Sequence, residues 1–428
     1  MIDTEKDTKK ILEKAVLVGV QPWDMGAAEA EGHLAELREL VRSLGISVAA
    51  ETHAKYREPS ARYLLGGGKA SEIAELMTEK GAGCAVFDCE LSPSQQRNWE
   101  ALLKIPVLDR QEVIIDIFAA RASTREAVLQ VDLAKLKYSL PRLKRAWSHL
   151  SRQRGGALGT RGEGEQQIEY DKRLVKDRIR RLEAELSEVR ARRGAQRKGR
   201  EKSGVPTAAI VGYTNAGKSS LLNRLSGAGA FVENKLFATL DPLTRRLELP
   251  DKRTVLLTDT VGFIRKLPHQ LVEAFKSTLE EAVLADFLIV VIDAADPDAE
   301  EHWRTTLSVL EELGAHDKRM IIALNKSDLL LDPARRAGIK NLFPRGTLIS
   351  ASSGDGVESL LDEISGAVSE RTALFNLRIP ASRHDMISLA HRSGTIIKSA
   401  YDDDGSAIIT AELEKSAAAR FAEYFVKN

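Results

Sequence analysis

The stretch TAAIVGYTNAGKSSLLNRL, residues 207–225, constrains this chain more than any other. Gly212, Gly217, Lys218 and Ser219 stand in the G-x-x-x-x-G-K-S spacing, behind an apolar run and ahead of a helical pattern. A strand feeding a glycine-rich turn and then a helix commits this part of the chain to an α/β fold on a mostly parallel sheet. The glycines let backbone N–H groups from Asn215 and Ala216 through Gly217 and Ser220 face phosphate oxygens. The helix N-terminus adds the positive end of its dipole. Lys218 is placed to reach the outer phosphates and the Ser219 hydroxyl to hold Mg²⁺.

Four further elements follow in order. Asp259 ends the strand-like TVLLTD and is expected to hold Mg²⁺ through a water, while Gly262 can bring its N–H to a terminal phosphate. Thr239, in FATLDP, lies where a switch loop supplies a metal-bound hydroxyl. Asn325-Lys326-Ser327-Asp328 follows the strand-like RMIIAL. The Asp328 carboxylate can accept from the N1–H and 2-amino group of guanine, a donor pair adenine lacks. Asn325 is expected to hold the loop, and the Lys326 stem to lie along the purine. Ser350-Ala351-Ser352 fits a backbone contact to the guanine oxygen. The reading is therefore a GTP site with Mg²⁺, in which Lys218, Thr239 and Gly262 serve catalysis. Phe263 stands where many GTPases carry a water-orienting Gln, so hydrolysis is expected to be slow until a partner assists. Arg245, Arg246 and Arg265 read as surface charge, and His269 and His302 as helix-surface residues.

The 428 residues suggest about three domains. Residues 1–122 alternate strands (AVLVGV, ISVAAE, CAVFD) with helices (GHLAELRELVRSLG, closed by Gly45, and PSQQRNWEALL), an N-terminal α/β domain. Its Gly66-Gly67-Gly68-Lys69 run lacks the Ser/Thr of a P-loop and reads as a turn into a helix. The two cysteines, Cys84 and Cys89, make neither a disulfide framework nor a zinc pattern. Residues 123–193 carry two apolar seams, Leu129, Leu133, Leu136, Leu140, Leu143, Trp147, Leu150 and Ile168, Val175, Ile179, Leu182, Leu186, Val189. They are expected to pair as an antiparallel helical hairpin, kinked or split at Pro141, with a Gly-rich basic tip at 152–166. Residues 194–203 read as a basic linker, 204–372 as the P-loop GTPase domain, and 373–428 as a small C-terminal α+β domain ending in a helix at AAARFAEYF.

Net charge is only +1, but residues 142–202 hold 19 Lys or Arg against 9 Asp or Glu. Such a block inside a nearly neutral chain is the footprint of a polyanion partner or a solvated helical face. The stretch RQRGGALGTRGEGEQQIE, residues 152–169, has five glycines and three arginines and almost nothing apolar. Small residues allow close approach to a crowded RNA surface, and Arg152, Arg154 and Arg161 are candidates to meet its phosphates.

GYTNAGKSSLLN, LFATLDP, DTVGFIRKLPH, VIDAADP, NKSD and RQRGGALGTRGEGE together resemble the HflX-type ribosome-associated GTPases, over about the whole chain. The resemblance implies binding to the large ribosomal subunit and its RNA. It also implies splitting or rescue of stalled or idle ribosomes, a hairpin tip directed toward the peptidyl-transferase region, and ribosome-stimulated hydrolysis. Where that family has G-P-G-E-T-Q, this chain has Glu163 for the Pro and Gln166 for the Thr. The hydrophobic residue at 263 agrees with the family.

The alternative is a GTP-gated adaptor that binds RNA or protein and remodels nothing. A third class, an RNA-modifying or metabolic enzyme regulated by GTP, has no second catalytic constellation to support it. No apolar run is long enough to span a bilayer, and the N-terminus is charged. The expectation is a cytoplasmic protein, monomeric when free, partly associated with ribosomes or a membrane surface.

Overall fold

The computed structural model describes residues 13–143, 161–201, 205–227, 237, 242–266, 276–414 and 418–426. They fall into two compact units. The first comprises Met1–Ser187 with Lys235–Leu240 and Lys266–Lys276; the second comprises Glu188–Asn234, Asp241–Arg265 and Ser277–Asn428.

The first unit is built on a parallel sheet of β1 (Lys14–Pro22), β2 (Ser47–Tyr56), β3 (Cys84–Phe87) and β4 (Val107–Asp109), in the order β2-β1-β3-β4. Helices α1 (Ala27–Ser43), α2 (Gly67–Lys80), α3 (Pro93–Leu103) and α4 (Arg110–Arg121) connect and follow the strands. β1 is apolar without alternation because, as the second strand in, it is covered on both faces. Val16, Val18, Phe87 and Trp99 share one core, and the Trp99 indole N–H donates to the Tyr63 carbonyl at 2.9 Å. Gly66 caps α2, so the three-glycine run is a turn into a helix. A Ser92–Gln95 capping box with Pro93 behind it starts α3.

Helix α5 (Arg125–Ser139) stops two residues short of Pro141, and a 3₁₀ turn, Leu140–Arg142, takes over. The proline has no N–H to give and its ring obstructs the preceding turn. The buried Arg142 guanidinium then donates to Leu91 O at 2.7 Å, Gln96 Oε1 at 3.0 Å and Asp109 Oδ2 at 3.3 Å. This network ties the end of α5 to α3 and β4. From the two expected seams, Leu129 and Leu133 are buried on α5, and Ile179, Leu182 and Leu186 on α6 (Arg161–Glu201). Lys137 of α5 pairs with Glu183 of α6 at 3.0 Å. Trp147 and Leu150 lie outside the described residues. Helix α6 runs 41 residues and continues through the stretch read as a linker. The correction has a simple cause: Arg, Lys, Gln, Glu and Ala dominate residues 190–201, and these form helix without any apolar stripe. The last residues of the expected tip, from Arg161, likewise belong to this helix.

The second unit carries a six-stranded sheet of β5 (Thr207–Gly212), β6 (Leu243–Glu248), β7 (Thr254–Asp259), β8 (Phe287–Asp293), β9 (Met320–Asn325) and β10 (Thr347–Leu348). Its order is β10-β9-β8-β5-β7-β6; only the edge strand β6 runs antiparallel. One face is covered by α7 (Lys218–Ser226) and α11 (Val357–Arg371), through Leu221, Leu222, Leu360 and Ile364. The other is covered by α8 (Lys276–Leu284), α9 (Ala299–Glu312) and α10 (Pro333–Leu342), through Leu279, Leu310 and Ile339. From β5 the chain passes to β6 and β7 on one side of it, and from β7 it crosses over to β8 on the other. The carboxyl end of β5 is therefore the topological switch point, where open α/β sheets bind ligands.

A smaller antiparallel sheet closes the unit: β11 (Thr372–Ile379), β12 (Gly394–Tyr401) and β13 (Ala407–Glu414), in the order β11-β13-β12. Its core holds Leu377, Ile409 and Leu413 with Met386 and Ala390 of α12 (His384–Ser393). The expected final α-helix is a 3₁₀ segment, Ala419–Tyr424. The chain has to straighten there, because Phe425 bridges to Leu377 and the Val426 N–H donates to Asn376 O at 2.9 Å.

Candidate nucleotide site

The glycine-rich loop leaves the carboxyl end of β5 and enters α7 at Lys218. Three backbone positions in it fall in the left-handed half of conformational space: Gly212 at φ 145°, Asn215 at φ 60° and Gly217 at φ 94°. A Cβ on Gly212 would run into the Val291 carbonyl, and one on Gly217 into the Asn325 side-chain amide. The spacing of the two glycines is thus set by close approach as well as by turn geometry.

Lys218 is buried, and its Nζ donates to the Tyr213 carbonyl at 2.7 Å. Burial pushes the amine down to about 8, against the pull of the neighbouring Asp259 carboxylate. The Ser219 hydroxyl donates to Asp259 Oδ2 at 2.6 Å. A hydroxyl and a carboxylate on either side of the loop are the hard oxygen donors Mg²⁺ takes, with water completing the set, so these residues fit that ion. Gly262 comes so close that a Cβ there would lie 2.8 Å from Lys218 Nζ.

The segment around Gly262 is stitched to the nucleotide loop by main chain. The Phe263 N–H donates to Gly212 O at 3.0 Å, and the Thr214 N–H to Phe263 O at 2.7 Å. The Phe263 side chain meanwhile enters the core beside Val211 and Leu288, 1% exposed. It cannot orient a water.

Asn325 joins two loops. Its Nδ2 donates to Ala216 O at 2.8 Å, and its Oδ1 accepts from the Ala351 N–H at 2.9 Å. Lys326 takes φ 63°, and its ammonium is held by Asp293 Oδ2 at 2.6 Å. The exposed Asp328 carboxyl is held below the usual carboxylate range, first by a hydrogen bond from Ser350 and further by Ser352. Ser350 and Ser352 hydroxyls lie 2.9 Å apart. Arg224 of α7 donates to Ala351 O at 3.0 Å and also to Ser352 O.

Of the residues expected to form the site, Gly212, Asn215, Ala216, Gly217, Lys218, Ser219, Ser220, Asp259, Gly262, Asn325, Lys326, Asp328, Ser350, Ala351 and Ser352 gather at this end of the sheet. Thr239, Arg152 and Arg154 lie outside the described residues, as does the Arg161 side chain. Two surface assignments need correcting. Arg265 is buried and donates to Glu301 Oε1 at 3.0 Å. His302 stacks on Tyr213, ring centroids 3.7 Å apart. Sequence reading also passed over the side chains of Tyr213, which fills an unspecified position of the glycine-rich motif, and of Arg224 and Asp293, to which no role was given.

Four family models follow one another along the chain. They are GTP-binding GTPase N-terminal over residues 31–119, GTP-binding GTPase Middle Region over 121–200, 50S ribosome-binding GTPase over 207–326, and HflX C-terminal domain over 343–424. GTPase HflX of Akkermansia muciniphila is 49% identical over 412 residues, covering 94% of each chain. The chain belongs to the HflX family of GTPases. GTPase HflX of Escherichia coli is 42% identical over 398 residues, 92% of each chain. Among solved structures, a GTP-binding protein of Sulfolobus solfataricus in complex with GDP covers 84% of this chain and 99% of its own at 25% identity, with a TM-score of 0.44. This HflX-family chain is thus a GTP-binding, GTP-hydrolysing enzyme. Among the described residues, no helix is long and apolar enough to cross a membrane.

Proposed function

We propose that this HflX-family GTPase binds the large ribosomal subunit and its RNA and splits or rescues stalled or idle ribosomes, with the ribosome stimulating hydrolysis. The observation that carries the proposal is Phe263. Lys218, Ser219, Asp259, Gly262 and Asn325 gather in one place, while the position that would orient water is turned into the core. A nucleotide site so built calls for a partner to complete it. The resemblance of residues 207–326 to 50S ribosome-binding GTPases supports the ribosome as that partner. The basic block at 142–202 supports RNA as its surface, through Arg152, Arg154 and Arg161.

In this reading Lys218 and the N–H groups of Asn215 to Ser220 bind the phosphates, and the Gly262 N–H meets the terminal one. Ser219 and Thr239 would hold Mg²⁺, with Asp259 through a water. When bound, the ion neutralises charge on the β- and γ-phosphate oxygens. Asp328 selects guanine, Lys326 lies along the purine, and Ser350, Ala351 and Ser352 close over its oxygen. GTP favours the ribosome-bound arrangement of the segments around Thr239 and Gly262, and hydrolysis releases it.

Sedimentation of ribosomes with the protein and a non-hydrolysable GTP analogue tests the proposal. Conversion of intact ribosomes to subunits is expected. Co-migration without splitting would leave a GTP-gated adaptor instead. Replacing residues 155–164 by a short neutral turn should spare GTP binding and reduce ribosome-stimulated turnover. The free protein is expected to sediment as a monomer.

A further inference from the structure

Tyr213 occupies the second position of the nucleotide loop, where phosphate binding asks for no side chain, yet it is 5% exposed. Its ring lies flat on the His302 imidazole, centroids 3.7 Å apart and planes 13° from parallel. Its phenol oxygen accepts from the Arg265 main-chain N–H at 2.9 Å. The Arg265 guanidinium, buried in turn, donates to Glu301 Oε1 at 3.0 Å, with Asp298 Oδ2 3.9 Å away. Glu301 and His302 are neighbours on α9. One turn of that helix therefore grips the nucleotide loop through Tyr213 and the segment beyond Gly262 through Arg265. Immediately afterwards Lys266 takes φ 52°, a conformation that a non-glycine residue keeps only when its surroundings hold it.

We infer that Tyr213, Arg265 and Glu301 form a latch that positions the Gly262 main chain against the nucleotide loop, and so sets the rate of GTP hydrolysis more than the strength of GTP binding. The inference rests on the assignment of the Gly262 N–H to the terminal phosphate. Gly262 has no side chain to fix it, so its place comes from its flanks. Upstream, Thr260 Oγ1 donates to Ile210 O at 2.8 Å. Downstream, Phe263 pairs with Gly212, and the latch fixes Arg265. A donor aimed at developing negative charge loses much of its effect when it shifts by about 1 Å. Affinity comes instead from the loop amides, Lys218 and the base-reading residues.

Tyr213→Phe tests this with the loss of one oxygen, keeping ring and volume. Glu301→Gln keeps an acceptor and removes the charge. Single-turnover GTP hydrolysis without ribosomes, affinity for a fluorescent GTP analogue, and thermal midpoint are measured on the same samples. Each single variant should hydrolyse GTP roughly five- to tenfold more slowly, with affinity within about twofold and a midpoint lowered by a few degrees but still well above the assay temperature. The double variant should lose no more than the worse single, because the two groups act as one unit. Unchanged hydrolysis in both singles, an equal loss of affinity, or losses that multiply in the double variant would each overturn the latch. Such a failure leaves the Gly262 assignment standing. That assignment is judged separately by Gly262→Ala, whose methyl presses on Lys218 Nζ; undiminished hydrolysis there would sink it first.

Discussion

Ser219 donates its hydroxyl to Asp259, Oγ to Oδ2, across 2.6 Å, joining the first turn of α7 to the end of β7. The contact holds both oxygens where a hard cation can take the hydroxyl directly and the carboxylate through water. Ser219→Ala should raise the Mg²⁺ concentration needed for half-maximal GTP binding by about ten- to a hundredfold. Titration of Mg²⁺ against bound fluorescent nucleotide reads this directly. An unmoved midpoint would remove Ser219 from the metal site.

Asn325 is 2% exposed and bridges Ala216 O and the Ala351 N–H. Asn325→Ala leaves both backbone groups without that partner. The expected loss is about 2–4 kcal/mol of unfolding free energy, together with weaker GDP binding. Denaturant unfolding of the nucleotide-free protein separates the two effects. Full stability with weak GDP binding would mean that Asn325 acts on the nucleotide alone.

Asp328 carries base choice in the proposed function. Asp328→Asn should weaken GTP by roughly a hundredfold or more and improve xanthosine triphosphate, since the amide can donate where the carboxylate only accepts. Competition of the two nucleotides against labelled GDP measures it. The folded carboxyl titrates below its usual range, held there by Ser350 first. Its contribution is therefore complete above the unfolded value, near 4, and is lost only as pH falls through the lower folded value. Guanine preference should be flat from about pH 5 to pH 8.

Lys218 titrates at about 8 in the folded chain, against an ordinary 10.5, because burial disfavours its charge. The folded state bears that penalty wherever the amine is protonated, below about pH 8, and sheds it as pH rises toward the unfolded value. Its contribution to stability thus increases with pH between those two values. Triphosphate binding should restore the charge and take up a proton. Calorimetry near pH 8.5 in buffers of different ionisation enthalpy should show uptake that fades toward pH 6.5 and disappears in Lys218→Ala, if that variant still binds at the concentrations used. Equal heats in all buffers at pH 8.5 would contradict it.

The clustering of the candidate site's loops was legible because nucleotide chemistry dictates their spacing. A loop must turn with Gly212 and Gly217, present Lys218 and Ser219 at a helix start, and find Asp259 at the end of an adjacent strand. β3 and α3 were equally plain, one an unbroken apolar run and the other announced by Ser92-Pro93. What stayed hidden depends on distance along the chain. Arg265 meets Glu301 36 residues away, and nothing local marks either residue as a partner. His302 looked like a surface residue because its neighbours on α9 are charged, while the ring that covers it belongs to the nucleotide loop. Residues 190–201 misled in the other direction: their lack of apolar pattern suggested a linker, yet intrinsic propensity carries the helix through. The last segment shows the opposite balance, where alanine-rich sequence favoured α-helix and pairing with β11 straightened the chain.

At Gly217, a single hydrogen atom is all that stands between the loop and the amide of Asn325. Any side chain there would push the glycine-rich loop away from the loop that carries Asn325. The two loops therefore cannot be altered independently at this point. A change that moves the Gly217 backbone must be answered at Asn325, and a larger residue at 325 must be answered at Gly217.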